Sequence, residues 1–384
     1  MTTQAPADQD LARRIDAVFD AALDDGKIVG ATILVARHGH LVYGRAGGFA
    51  DREAGKPVRL DTIFRLASLS KPITATACLA LVERGEMRLD DPVSTYLPQF
   101  RPQLRNGETP TITIRHLLTH TSGLTYRFAQ WPGGSYHLAN VSDGLDQPGL
   151  SMDENLRRIA SAPLEFAPGS KWGYSVGIDV LGAALAAASG KSLGDLLAET
   201  IMAPLDMTDT AFTVRDPARL SVAYADDPNG PVPMSETHSV PRPTEPPTLY
   251  SPGRVLDPAS FQSGGAGLVG TAPDFLKFIE MLRTGGSPIL RADTVATAIS
   301  NQIGDVPGDA GGPGWRFGYL SGVLLDPVLA GTPQAAGTFY WGGAHGNTWF
   351  VDPANGLSFV GLTNTAVEGV DGQFPKHIRN AIYG

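Results

Sequence analysis

The sequence predicts an α+β protein in which one antiparallel sheet is closed by both ends of the chain, with a mainly helical lobe inserted between them. Two observations lead there. β-rich runs occupy residues 31–37 and 41–45 and return at residues 315–325, 338–341, 348–352 and 357–363. The middle of the chain instead carries capped, glycine-stopped helical runs joined by proline-bearing loops. The 384 residues then form a single module, with residues 9–65 and 264–384 as an α/β lobe and residues 66–263 as the helical lobe. A functional cleft is expected where the lobes meet.

Taken in order, Leu11, Ile15, Phe19 and Leu23 recur every four residues before Gly26, which reads as an amphipathic helix packed on the sheet. The runs 31–37 and 41–45, separated by His38-Gly39-His40, form an antiparallel meander with an extended piece over residues 47–52. A largely apolar run, residues 73–82, follows Ser68-Leu69-Ser70-Lys71-Pro72 and stops at Gly85. Proline is tolerated only in the first turn of a helix, so this helix begins close to Ser68. Asp90-Asp91-Pro92 opens a turn, and Thr113 caps a short helix over residues 114–119. Further helices are expected at residues 151–160, 176–188 and 193–201, the second closed by Gly190. Residues 222–262 are rich in proline and polar side chains with little periodicity, and read as a lid or pocket wall. Beyond the glycine-rich piece 264–270, Thr271 caps a helix that ends at Gly285-Gly286. Asn355-Gly356 signals a hairpin between the last two strands, and a final helix covers residues 374–382.

Composition narrows the function. Hydrophobic residues make up 42% of the chain, enough for a sizeable core. The net charge is −9, from 30 basic and 39 acidic residues, and no basic run is present. That argues against nucleic acid and anionic membrane as partners and favours small molecules. No stretch reaches the roughly 18 apolar residues that span a bilayer, and the polar N-terminus shows no export signal, so a cytoplasmic protein is expected. The lone cysteine, Cys78, sits inside the apolar run after Lys71 and reads as a buried structural thiol. The sequence sets no oligomeric state.

Ser68 and Lys71 carry the chemistry. Residues three apart share a helix face, so the Lys71 amine can fold back to the Ser68 hydroxyl while Leu69 and Ser70 point elsewhere. A lysine kept dry loses its charge easily and acts as a base, and the helix N-terminus offers N–H groups to an oxyanion beside Ser68. This is the logic of a Ser-Lys acyl-transfer enzyme. Ser-x-x-Lys alone arises often by chance, so the reading rests on what accompanies it.

Ser68-Leu69-Ser70-Lys71, His116-Leu117-Leu118-Thr119-His120-Thr121-Ser122-Gly123-Leu124, Tyr174-Ser175-Val176 and Trp341-Gly342-Gly343 occur in that order. The set resembles the serine β-lactamase superfamily and, within it, the family VIII carboxylesterases. The similarity runs along essentially the whole chain, including Ile201-Met202-Ala203-Pro204-Leu205-Asp206-Met207. It implies a β-lactamase/transpeptidase-like fold, no cofactor, and a place for Tyr174 beside the serine–lysine pair. A phenol flanked by an ammonium can be held partly as phenolate, take the serine proton and pass it to the leaving alcohol. Trp341-Gly342-Gly343 stands where β-lactamases and penicillin-binding proteins carry Lys-Thr-Gly. The next N–H, on Ala344, is expected to complete the oxyanion hole with that of Ser68. No cation then remains there for the carboxylate of a β-lactam or peptide, and Val176 replaces the family's asparagine. Both differences favour neutral esters. His345 reads either as a contact to the bound acyl or alcohol group or as a hydrogen-bonded structural histidine, and Tyr126 as pocket lining or rim.

Three other features compete. Gly173-Tyr174-Ser175-Val176-Gly177 satisfies the Gly-x-Ser-x-Gly elbow of α/β-hydrolases, but no apolar strand precedes it and no parallel βαβ alternation follows, so Ser175 reads as a helix-start residue. His116 and His120 are four apart without a His-Glu-x-x-His pattern, and no metal is expected. Asp179, five residues after Tyr174, could orient a polar partner, but a solvated or helix-dipole role is the favoured reading. The expected activity is that of a serine carboxylesterase acting on a small-molecule ester through an acyl-enzyme on Ser68. The rival among enzymes is a β-lactamase or D-alanyl-D-alanine peptidase-like amide hydrolase or acyltransferase. From another class, the rival is a non-catalytic binding or assembly protein of the same fold.

Overall fold

The computed structural model describes residues 6–242 and 245–384. Residues 1–5 of the polar N-terminus and residues 243 and 244 of the proline-rich segment lie outside the described residues. Five helices and eight strands place the site. The helices are α1 (Pro6–Asp24), α2 (Ser70–Glu83), α3 (Gly177–Ser189), α4 (Ala272–Arg283) and α5 (Phe374–Tyr383). The strands are β1 (Gly30–Arg37), β2 (His40–Asp51), β3 (Lys56–Pro57), β4 (Trp315–Phe317), β5 (Gly322–Leu324), β6 (Phe339–Gly343), β7 (Asn347–Asp352) and β8 (Leu357–Thr363).

Strand β1 is apolar at nearly every position because it is buried on both faces. Ile33 and Val35 pack with Leu11, Ile15 and Phe19 of α1 and Ile378 and Ile382 of α5. On the opposite face Leu34, with Val360 and Leu362 of β8, belongs to the core that contains Phe275, Phe278 and Ile279 of α4. The sheet runs β4-β5-β6-β7-β8-β1-β2-β3 and is antiparallel throughout. Ala31 stands opposite Thr363 and Arg37 opposite Leu357, so the two ends of the chain close one sheet, as the sequence predicts.

Three local expectations change. β2 is one strand across residues 40–51, not two pieces, because Ala46, Gly47 and Gly48 remain paired with Thr32, Ala31 and Gly30. The run 315–325 is a hairpin, in which the Gly318 N–H donates to the Ser321 carbonyl and Phe317 faces Gly322. The helix at residues 193–201 is α-helical only over Leu193–Leu197 and then opens into the π-turn Ala198–Met202.

Helix α2 is buried from Ser70 to Leu81, which explains its apolar composition on every side. Cys78 lies inside it, and burial pushes its thiol pKa up. The Thr113 hydroxyl accepts from the His116 N–H while His116 Nδ1 accepts from the Thr113 N–H, a reciprocal cap that gives His116 its role. Residues 222–262 contain paired strands Tyr224–Ala225 with Val232–Pro233 and His238–Val240 with Thr248–Tyr250, followed by the 3₁₀ turn Pro252–Leu256. Among the described residues no single helix is long and apolar enough to cross a membrane.

Candidate active site

Ser68 sits in a 3₁₀ turn, Ala67–Leu69, that leads directly into α2. Ala67 has φ +46°, a left-handed conformation costing about 1–3 kcal/mol in a non-glycine residue, so the surrounding structure must hold it. It does so from two sides. The Leu66 N–H donates to the Leu268 carbonyl at 2.9 Å, and Phe64 and Arg65 pair with Gly270 and Val269. From β7, Asn347 Nδ2 donates to the Arg65 carbonyl at 2.7 Å. Gly343 of β6 presses its Cα so close to this turn that a Cβ there would lie 2.5 Å from the Leu66 oxygen.

Lys71 is 3% exposed, and its Nζ donates to Ser68 Oγ at 2.9 Å and to the Gly265 carbonyl at 2.7 Å. Tyr174 reaches the same oxygen from the loop before α3, its hydroxyl 2.9 Å from Ser68 Oγ. Trp341 Nε1 donates to the Tyr174 hydroxyl at 3.0 Å. The Lys71 ammonium stands 4.8 Å from the Tyr174 ring centroid and 5.4 Å from that of Tyr126, close enough for cation–π attraction. Ser68 and Lys71, three residues apart, therefore share one hydrogen-bond network with the distant Tyr174 and Trp341.

Ser68, Tyr174 and Trp341 open onto a cleft of about 960 Å³, with Lys71 buried behind them. Its inner wall includes Ser68, Tyr126, Tyr174, Trp341, Gly342 and Ala344. Ala344 begins the turn after β6, where the Gly346 N–H donates to the Gly343 carbonyl and the Tyr250 hydroxyl donates to the Ala344 carbonyl at 2.9 Å. Tyr250, from the proline-rich segment, thus fixes the peptide that follows β6. Arg242, Glu245 and Pro246 of the same segment also line the cleft.

Three residues expected at the pocket stand behind it. Gly343 faces Leu66, as above. Val176 is fully buried at the start of α3. His345 is buried with its ring edge-on to Tyr250 at 5.0 Å, and burial together with the Arg65 charge brings its pKa down to about 3, so it is neutral. Val176 and His345 are absent from the cleft lining because the turns that carry them point their side chains into the core.

The competing serine is also placed. Ser175 is fully buried, its Oγ accepting from the Gly177 N–H at 3.3 Å and lying 3.2 Å from His120 Nδ1. His120 packs between the rings of Trp172, Tyr174 and Phe317, and burial with the Lys71 charge holds its pKa well below the usual histidine range. Ser175 therefore supports Tyr174 from behind and faces no cleft.

Asp179 corrects the sequence reading. It is 1% exposed, not solvated, and its Oδ1 accepts from the Ser263 hydroxyl and from the Gly265 N–H. The glycine-rich piece 264–270 was visible in the sequence, but nothing there indicated that Asp179 packs against Gly265. Asp143 was missed outright. It lines the cleft, its carboxylate accepts from the Arg127 and Phe128 N–H groups at 2.7 and 3.0 Å, and burial and the neighbouring Asp146 charge raise its pKa from 3.8 to about 7.

A buried lysine and a phenol converge on a serine at a helix start, the arrangement that serine acyl transfer calls for. Residues 15–381 match the family described as Beta-lactamase, and the chain belongs to that family, within the serine β-lactamase and penicillin-binding-protein superfamily and alongside the family VIII esterases. It is 49% identical to Esterase EstB of Burkholderia gladioli over 375 residues, 97% of this chain and 95% of that protein. It is 28% identical to a lovastatin esterase of Penicillium rubens, over 95% of this chain and 96% of that one. Among solved structures it resembles EstCE1, described as a hydrolase with promiscuous acyltransferase activity, with a TM-score of 0.96 and 43% identity, covering 99% of this chain and all of that one.

Proposed function

We propose that this protein is a serine carboxylesterase that hydrolyses small carboxylic esters through an acyl-enzyme on Ser68. The observation that carries the proposal is the double approach to Ser68 Oγ, by Lys71 Nζ and by the Tyr174 hydroxyl, each at 2.9 Å. Ser68 attacks the ester carbonyl and gives its proton to the Lys71–Tyr174 pair. The backbone N–H groups of Ser68 and Ala344 receive the oxyanion. Tyr174 then returns the proton to the departing alcohol, and a water activated by the same pair releases the acid. The indole N–H of Trp341 donates to the Tyr174 oxygen and holds that hydroxyl beside Ser68 Oγ. Tyr126 and Trp341 supply apolar walls for the bound ester.

The esterase relatives support an ester substrate over an amide. Transfer of the acyl group to an alcohol is a second reading, favoured by the activity described for EstCE1, and it uses the same intermediate. Added alcohol separates the two, since transfer yields a new ester and hydrolysis an acid. The test of the nucleophile is Ser68→Ala beside Ser175→Ala on a chromogenic short-chain ester. Loss of turnover in the first and its retention in the second is expected, and the opposite pattern overturns the assignment.

A further inference from the structure

Among the described residues the Lys71 amine has two hydrogen-bond partners, and only one of them is the proposed nucleophile. The other, the Gly265 carbonyl, belongs to a strip of backbone held by a carboxylate that takes no direct part in the proposed reaction. Asp179 lies in the first turn of α3 and is almost wholly buried. Its Oδ1 accepts from the Ser263 hydroxyl and from the Gly265 N–H at 3.4 Å. Among the described residues its Oδ2 has no hydrogen-bond partner, and it lies against Gly265, where a Cβ would come within 2.5 Å of it.

We propose that Asp179 is a positioning residue for Lys71. Its carboxylate anchors residues 263–265 so that the Gly265 carbonyl aims the lysine amine at Ser68, and it supplies the negative charge that balances this amine when it takes up a proton. The proposal rests on the reading of Ser68 and Lys71 as the reacting pair.

The surroundings fit a counter-charge. A buried carboxylate without a cation is costly, and two cations attract Asp179, Lys71 from α2 and Arg254 from the turn 252–256. Arg254 is itself buried, donates to the Phe261 carbonyl and also feels Asp146, which is paired with Arg127 at 3.0 Å. Tyr126 faces the group from the cleft wall. Burial raises the pKa of Asp179, and the hydrogen bonds from Ser263 and Gly265 and the charges of Lys71 and Arg254 oppose that rise. Two roles follow. The hydrogen bonds set where the amine stands, and the charge sets how readily it holds a proton.

The test separates these roles in the full-length protein, with kcat, KM and the pH profile of kcat/KM measured on p-nitrophenyl acetate. Asp179→Asn keeps the shape and removes the charge. Ser263→Ala removes the stronger anchor and keeps the charge. In Asp179→Asn, kcat is expected to fall about 10–100-fold with little change in KM, and the rising limb of the profile to move about 1 unit to lower pH, because the amine loses the charge that favours its protonated form. In Ser263→Ala, kcat is expected to fall about 3–10-fold with the limb in place. Rate loss in Asp179→Asn without movement of the limb overturns the proposal in favour of a structural role, as does a wild-type kcat in Ser263→Ala, however Asp179→Asn folds. A Ser68→Ala variant that stays active defeats the underlying reading instead, so the two failures are distinguishable.

Discussion

The two approaches to the Ser68 hydroxyl are built in different ways. Lys71 comes from the same helix end, three residues on, whereas Tyr174 comes from 106 residues away and is itself held by Trp341, another 167 residues along. The first contact follows from helical geometry once a helix starts at Ser68. The second exists only because the loop before α3 and the end of β6 are docked against one another. Chemistry that depends on both thus has a local half, tolerant of small changes elsewhere, and a tertiary half, sensitive to the seating of the sheet edge.

The sharpest way to break this comparison is to remove the distant partner alone. Tyr174→Phe keeps the aromatic packing on His120 and Tyr126 and removes the hydroxyl. Stopped-assay kinetics should show kcat lower by about 10²–10⁴-fold with little change in KM, the usual scale for a lost acid–base group. An effect below tenfold would mean that Lys71 suffices. Next in size is Gly343→Ala. Its Cβ meets the Leu66 oxygen at 2.5 Å and Leu69 Cδ1 at 3.0 Å, so β6 must move away from the turn that carries Ser68. Turnover should fall about 10–100-fold together with the thermal midpoint, since an ångström of misplacement is enough for such a loss. Trp341→Phe removes a single hydrogen bond to the Tyr174 oxygen and should lower kcat/KM about 2–10-fold, in line with about 0.5–1.5 kcal/mol for one hydrogen bond.

The smallest effect concerns stability at the outer wall. The folded protein keeps a proton on Asp143 up to about pH 7, whereas the unfolded chain releases it above 3.8. Unfolding therefore releases a proton within that window, and this group's contribution to stability declines as pH rises from about 4 to about 7. Calorimetric melts across the window should be flatter for Asp143→Asn than for the wild type. A variant as steep as the wild type would assign the slope to other groups.

Much of this arrangement was legible in the sequence where it depends on short-range order. The helix start at Ser68, the Thr113 cap, the Gly190 stop and the strand 357–363 follow from local rules that the tertiary structure leaves intact. The pairing of β1 with β8 was inferable because apolar runs at the two ends of the chain must bury both faces somewhere. What escaped depends on long-range contact. Asp179 looks like an ordinary acidic residue in a first helical turn, and only the fold brings Gly265 and Lys71 to it. Val176 and His345 adjoin motif residues, yet adjacency in sequence does not fix the direction of a side chain at a turn. The strands within residues 222–262 carry almost no period, because contacts to Ala344 and the cleft, not an amphipathic face, hold them. The two serine motifs, already told apart by the missing strand before Ser175, are separated further in three dimensions. Ser68 opens onto the cleft, and Ser175 is sealed behind Tyr174.

An acyl-enzyme on Ser68 can be caught by quenching the protein during turnover of p-nitrophenyl acetate and mapping the adduct by peptide mass spectrometry. One acetyl group is expected on the peptide that contains Ser68. An acetyl group on the peptide that contains Ser175, with Ser68 unmodified, would contradict it.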